Sequence, residues 1–258
     1  MKSKMKDNLN TLLKKEKDKP LSSAKLKTYL KKRGSIDKYG VIQELLNSDL
    51  AKYLENQKSA PLVLDLGSYN RRIYEDCINV DIAQEGDTDL VWDLTKRLPI
   101  ESNSVDFVIC SAVLEHVKEP DAVISEMYRV LKKGGKAWVD IPFMQPYHES
   151  PDDYYRFTLS GIKHKFKAFK INNSGSIPGS GFALGWILKE FSQIIAEKDI
   201  LTKKKFPAIT KLFKKSSVTK LEKELQKLDE LCIKEFKGDL PHNFHRTACG
   251  VFVYCTKA

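Results

Sequence analysis

The chain has 258 residues, 41% hydrophobic and 10% aromatic, enough to bury one substantial core and too apolar for a disordered polymer. No run reaches the roughly 18 apolar residues that cross a bilayer, and no apolar core follows the lysine-rich start. A membrane span and a secretory signal are therefore not expected, and a cytoplasmic location is. The net charge of +10 is uneven: residues 1–60 hold 15 Lys and Arg against 7 Asp and Glu, so +8 of it lies there.

Residues 1–40 read as a basic, partly helical arm. Such a segment can hold an anionic membrane surface or nucleic acid through salt-sensitive attraction, which would make the protein peripheral to a membrane. The alternative is a solvated lysine face, since no aromatic residues interleave the lysines. Ile42, Leu45, Leu46, Leu50, Tyr53 and Leu54 then recur at helical spacing. From there strands and helices alternate. Strands are expected at 62–66, 77–82, 90–93, 105–110, 136–141 and 168–172. A helix starts behind Pro120, carries Val123, Ile124, Met127, Val130 and Leu131 on one face, and stops at Gly134-Gly135; a short one covers 159–166. Residues 177–243 read as a helical cap inserted into the 41–258 domain, entered through a mobile Gly179-Ser180-Gly181, and an apolar strand over 247–255 closes the chain. The pattern predicts an α/β fold: a Rossmann-like, doubly wound, mostly parallel sheet with a final antiparallel strand.

Five scattered cysteines without a Cys-x-x-Cys pair point to buried free thiols, and His242 with His245 to a turn or surface pair. No metal site is expected.

The most informative segment is Val63 to Asp81. A short apolar run stops at Gly67, a loop follows, and a second apolar run ends on Asp81. A glycine turn lets the backbone approach a ligand, and an acid on the next strand accepts ribose hydroxyls. The Gly-x-Gly-x-x-Gly of dinucleotide enzymes is missing, because Ser68, Tyr69 and Asn70 follow Gly67. Asp65, before the glycine, would repel a pyrophosphate and suits a cationic sulfonium ligand with an ammonium group.

Asp65, Gly67, Asp81 and Asp93-Leu94 together resemble class I S-adenosylmethionine-dependent methyltransferases of the type 11 kind. The resemblance runs on through Ser104-Val105-Asp106-Phe107, Leu114-Glu115-His116-Val117 and Arg129 to Gly135. It implies S-adenosyl-L-methionine as cofactor, held by Asp65, Gly67, Ser68, Tyr69, Asn70, Asp81, Ile82, Asp93, Leu94, Ser111 and Leu114. Asp65 would orient the ammonium, Asp81 the ribose and Asp93 the adenine amino group, with Leu94 as a backbone contact. Ser111 and Leu114 would border the sulfonium. The family's second glycine is replaced by Tyr69, and Asn70 tolerates a left-handed backbone.

After the fifth strand, Pro142 to Thr158 carries His148, Asp152, Asp153, Tyr154, Tyr155 and Arg156 in a proline-fixed loop. This run resembles methyltransferases associated with bacterial surface-glycan biosynthesis, which implies a small-molecule or glycan acceptor. His148 is the expected general base, with His116 as its rival. Asp152 or Asp153 would orient the base or hold acceptor hydroxyls. Tyr155 with Tyr154 offers a flat surface, and Arg156 either grips an anionic acceptor or braces the loop. O-methylation of a hydroxyl is the leading reading. An RNA methyltransferase recruited by the basic arm and a non-catalytic scaffold are the alternatives, and the oligomeric state is open.

Overall fold

The computed structural model describes residues 9–15, 19–33, 61–69, 72, 77–84, 86, 88–149, 151–177, 179–197, 218–221, 223–225, 227 and 248–258. The expected helix over 41–54, Asn70, most of the expected cap, and His242 and His245 lie outside them.

Apolar runs with β-branched residues form seven strands of one sheet: β1 (Val63–Leu66), β2 (Cys77–Asp81), β3 (Leu90–Val91), β4 (Val105–Ser111), β5 (Leu131–Pro142), β6 (Phe169–Ile177) and β7 (Gly250–Lys257). Their order is β3-β2-β1-β4-β5-β7-β6. β1 to β5 pair in parallel, whereas β7 runs antiparallel between β5 and β6. Strand sequence reverses between β1 and β4, and crevices for ligands open at such a switch point, beyond the carboxyl ends of the strands. Leu66 pairs with both Val80 and Cys110, so the next residues, Gly67, Asp81 and Ser111, come side by side at the carboxyl edge of the sheet.

All four residues of β1 are buried, as a central parallel strand requires. Successive side chains serve opposite faces. Leu64, Leu66, Ile78, Val80, Val108 and Val139 join the larger core, while Val63, Cys77, Phe107, Ile109 and Trp138 join the other. The larger core is covered by α3 (Pro120–Val130), which begins on proline and buries Val123, Ile124, Met127 and Val130. Cys77, Cys110, Cys249 and Cys255 are buried and form no disulfide among the described residues.

Residues 9–15 and 19–33 dock on the sheet edge, with α1 (Leu9–Lys15) and α2 (Ser23–Arg33). Leu9, Leu13, Leu21, Leu26 and Tyr29 belong to the main core, and the Asn10 side chain exchanges two 2.9 Å hydrogen bonds with the backbone of Val91. Tyr29 donates to Asp89 Oδ1 at 2.9 Å, and Asp89 Oδ2 accepts from the buried Arg72 at 3.1 Å.

Several elements differ from the pattern the sequence predicts. The chain passes from α3 straight into β5 at Leu131, so Gly134-Gly135 lies inside a strand, beside a register shift against β4. β6 follows α4 (Leu159–Lys165) and extends to Ile177. The Gly179-Ser180-Gly181 segment begins α5 (Ser180–Glu197), with Ala183 N–H donating to Gly179 at 2.8 Å, so it is packed helix start rather than a loose entry.

Candidate active site

The turn after β1 is built around Gly67. Its φ of +68° is left-handed, and a Cβ there would lie 2.3 Å from Val113 Cγ2, so only glycine fits. Tyr69 also takes a positive φ of 49°, the role expected of Asn70. Its backbone N–H donates to Asp81 Oδ2 at 2.8 Å, and Ala83 N–H donates to Asp81 Oδ1 at 3.2 Å. The Asp81 carboxylate is thus fixed at the end of β2, with lone pairs left for hydroxyl donors. Beside it Ile82 is 64% exposed, an apolar face fit for a ring. Asp65 and Ser68 are buried beneath the turn.

On the next loop, Asp93 Oδ1 accepts from the backbone N–H and hydroxyl of Thr95, at 2.9 and 2.7 Å. These bonds hold its carboxyl below the usual range and end β3 after two residues. Asp93 is therefore a turn residue whose Oδ2 is the atom left to a ligand. Leu94 is buried. Ser111 is buried at the end of β4, Ala112 follows with φ 53°, and Leu114 starts a 3₁₀ turn, Leu114–His116.

The loop after β5 folds back over that turn. His116 Nδ1 lies 2.6 Å from the Asp152 carbonyl, and Tyr154 N–H donates to the Glu115 carbonyl at 2.7 Å. A carbonyl only accepts, so His116 carries its proton on Nδ1 and presents the Nε2 lone pair. His148 Nδ1 lies 3.0 Å from the Pro146 carbonyl and 3.6 Å from Asp153 Oδ2. The Pro146 carbonyl, which only accepts, is the nearest partner and lies closer than the Arg156 Nη2 donor at 3.3 Å, which places the proton on Nδ1 here too. The two rings meet edge-on with centroids 5.1 Å apart, and Trp186 of α5 lies 5.5 Å from the His148 ring.

Arg156 is spent on bracing. It pairs with both oxygens of Asp153 and donates to the carbonyls of Gln145, Pro146 and Tyr155. Of its two expected roles, gripping an anionic acceptor has no donors left, and the brace is what the geometry supplies. Burial works to raise the Asp153 carboxyl, but the Arg156 bonds and the His148 N–H (2.9 Å) hold it below the ordinary range. The Tyr155 hydroxyl donates to the Lys118 carbonyl at 2.8 Å, so it pins the loop. Asp152 Oδ2 accepts from the Tyr154 hydroxyl at 2.6 Å, which pushes that phenol up to about 12 and removes it as a base near neutrality.

The sequence reading passed over Glu115. Its side chain is 0% exposed, no other residue donates a hydrogen bond to either carboxylate oxygen, and burial pushes it up to about 8. Oε1 stands 3.6 Å from His116 Nε2 and 4.0 Å from His148 Nε2. An acid between Leu114 and His116 read as packing. Only the return of the loop brings His148 against it.

The fold is a Rossmann-like α/β domain with a glycine turn and a fixed carboxylate at the carboxyl edge of its sheet. Residues 51–139 match the methyltransferase domain, whose methyl donor is S-adenosylmethionine. Among curated relatives, the ubiquinone/menaquinone biosynthesis C-methyltransferase of Pseudoalteromonas translucida is 35% identical over 29% of this chain and 30% of its own length. That of Haemophilus ducreyi is 31% identical over 35% of each. The chain thus spans about a third of the curated relatives it matches. Among solved structures, phosphoethanolamine N-methyltransferase 2 of Haemonchus contortus is 17% identical over 92% of this chain and 57% of its own, with a TM-score of 0.44. A methyltransferase of Archaeoglobus fulgidus is 15% identical over 83% and 93%, with a TM-score of 0.46.

The residues present fit the donor. Gly67 makes a tight left-handed turn that only glycine fits against Val113, Asp81 offers fixed acceptors for ribose hydroxyls, and the buried Asp65 has a charge opposite to an ammonium.

Proposed function

We propose that this protein is an S-adenosylmethionine-dependent methyltransferase acting on a hydroxyl of a small molecule or glycan intermediate. The observation that carries the reading is the glycine turn at Gly67 beside the fixed carboxylate of Asp81, at the switch point of the sheet and inside the segment matching the methyltransferase domain.

When bound, the donor supplies an electrophilic methyl on a sulfonium. Asp65 and Asp81 would hold its two ends, and Ser111 and Leu114 would border the reacting centre. Alignment and exclusion of water are the main work of the site. The acceptor must lose a proton as it attacks, and the lone pair on His148 Nε2, with the ring held through Nδ1, suits that task. Asp153 and Arg156 act through His148 and the loop, so we assign them positioning roles.

The acceptor reading rests on the loop 143–158, which lies beyond the matched segment 51–139. Carbon methylation is the second reading, favoured by the names of the curated relatives. Labelled methyl transfer to a panel of sugar, phenol and quinol acceptors, followed by mass analysis of the product, separates the two. An ether product supports the first reading. A carbon-linked methyl supports the second, and donor binding without transfer to any class of acceptor counts against both.

A further inference from the structure

We propose that Glu115, His116 and His148 form a binding site for one divalent transition-metal cation of the zinc type, with open coordination positions on the acceptor side. Three observations carry the proposal. First, the side chains converge: one ligand atom from each lies within 4.8 Å of the others. Second, the spacing is wrong for hydrogen bonds and close to that of shared coordination. Glu115 Oε1 stands off at 3.6 and 4.0 Å from the two Nε2 atoms. Hydrogen-bonded pairs close to about 2.7–3.0 Å. Donors about 2.1 Å from one ion, at angles between tetrahedral and trigonal, stand about 3.4–3.6 Å apart, so only small side-chain adjustments separate this trio from a ligand set.

Third, the surroundings are those of metal ligands rather than of stray polar groups. Each imidazole has its Nδ1 held by a backbone carbonyl, Asp152 for His116 and Pro146 for His148, which orients both Nε2 lone pairs inward. Glu115 is fully buried and no other residue donates a hydrogen bond to its oxygens, a costly arrangement for a carboxylate unless a cation offsets it. Asp140 and Asp153 add negative charge around Glu115 against the single guanidinium of Arg156, so the local field favours a cation.

Two imidazoles and one carboxylate suit zinc and its first-row neighbours better than calcium or magnesium, which prefer all-oxygen sites. Three protein ligands leave at least one position for water or substrate, the pattern of catalytic rather than structural zinc. An acceptor hydroxyl entering that position would lose its proton to solvent more readily, and the imidazoles would then be ligands instead of bases. That role, though not the site, rests on the methyl-transfer reading, and it narrows the acceptor to one presenting an oxygen to the metal.

The test is direct binding of Zn2+ by calorimetry, and of Co2+ by its visible ligand-field bands, to chelator-treated full-length protein. The variants are His148→Ala, Glu115→Gln and a His242→Ala/His245→Ala control, each checked for cooperative unfolding. One equivalent in the wild type and the control, with affinity at least tenfold weaker in His148→Ala and Glu115→Gln, supports the site. Unchanged affinity in His148→Ala, loss in the control alone, or no binding by the wild type overturns it. S-adenosylmethionine binding, followed in the same samples, reads the donor side independently, so a failed metal site and a failed methyl-donor reading give different results.

Discussion

Replacing Gly67 by alanine tests the cofactor turn at its tightest point. Two costs add. A non-glycine residue at φ +68° pays about 1–2 kcal/mol of left-handed strain. The new Cβ would sit 2.3 Å from Val113 Cγ2 and 3.2 Å from Cγ1, both on a buried side chain behind the turn, and overpacking of this kind costs about 1–3 kcal/mol. Gly67→Ala should therefore destabilise by about 2–5 kcal/mol. Urea unfolding measures this as a lower midpoint at unchanged slope. Val113→Ala in the same chain removes the clash and leaves the strain, so the double variant should be more stable than the sum of the singles by about 1–3 kcal/mol. Strict additivity would refute the packing argument, and an unchanged midpoint in Gly67→Ala would refute the whole account of the turn.

Other consequences can be measured separately. Tyr29→Phe removes a buried hydrogen bond to the Asp89 carboxylate and should cost about 1.5–3 kcal/mol in the same assay, with donor affinity unchanged. Arg156→Lys keeps the charge but loses the fork that ties Asp153 and three carbonyls, so hydrogen exchange across 143–157 should quicken while the sheet stays protected. Glu126 is opposed by burial but held below its ordinary value by Arg129 and the Leu98 N–H. Its stabilisation is therefore present above the unfolded carboxylate value and is lost as pH falls through the depressed folded one. Glu126→Gln should lower stability at neutral pH and flatten the acid limb of the stability curve, and a parallel acid limb would contradict the assignment.

Much of the sheet was legible because central parallel strands are short, wholly buried apolar runs. Leu62 to Leu64 and Val108 to Cys110 carry that pattern plainly. The turn at Gly67 and the place of Asp81 at a strand end were legible because both depend on position along the chain. Gly134-Gly135 misled, since a glycine pair usually ends a helix, whereas here α3 ends at Val130 and the glycines continue a strand. β3 shrank because Asp93 caps its own turn onto Thr95. The docking of residues 9–15 and 19–33 is invisible in a lysine-rich pattern. Leu9 and Leu21 hydrogen-bond through their backbones to Asp89 and Pro99, far along the chain. Glu115 escaped for a related reason. Its burial and its meeting with His148 both depend on the loop folding back, which Arg156 and Tyr155 enforce through backbone carbonyls that leave no trace in residue spacing.

The central claim is that the carboxyl edge at Gly67 and Asp81 binds S-adenosylmethionine. Calorimetric titration of the donor into the purified protein, beside Asp81→Ala, tests it most directly. The account predicts one saturable site in the wild type and a loss of at least tenfold in Asp81→Ala, with both proteins folded. No binding to a folded wild type, or equal binding by the two proteins, would contradict it.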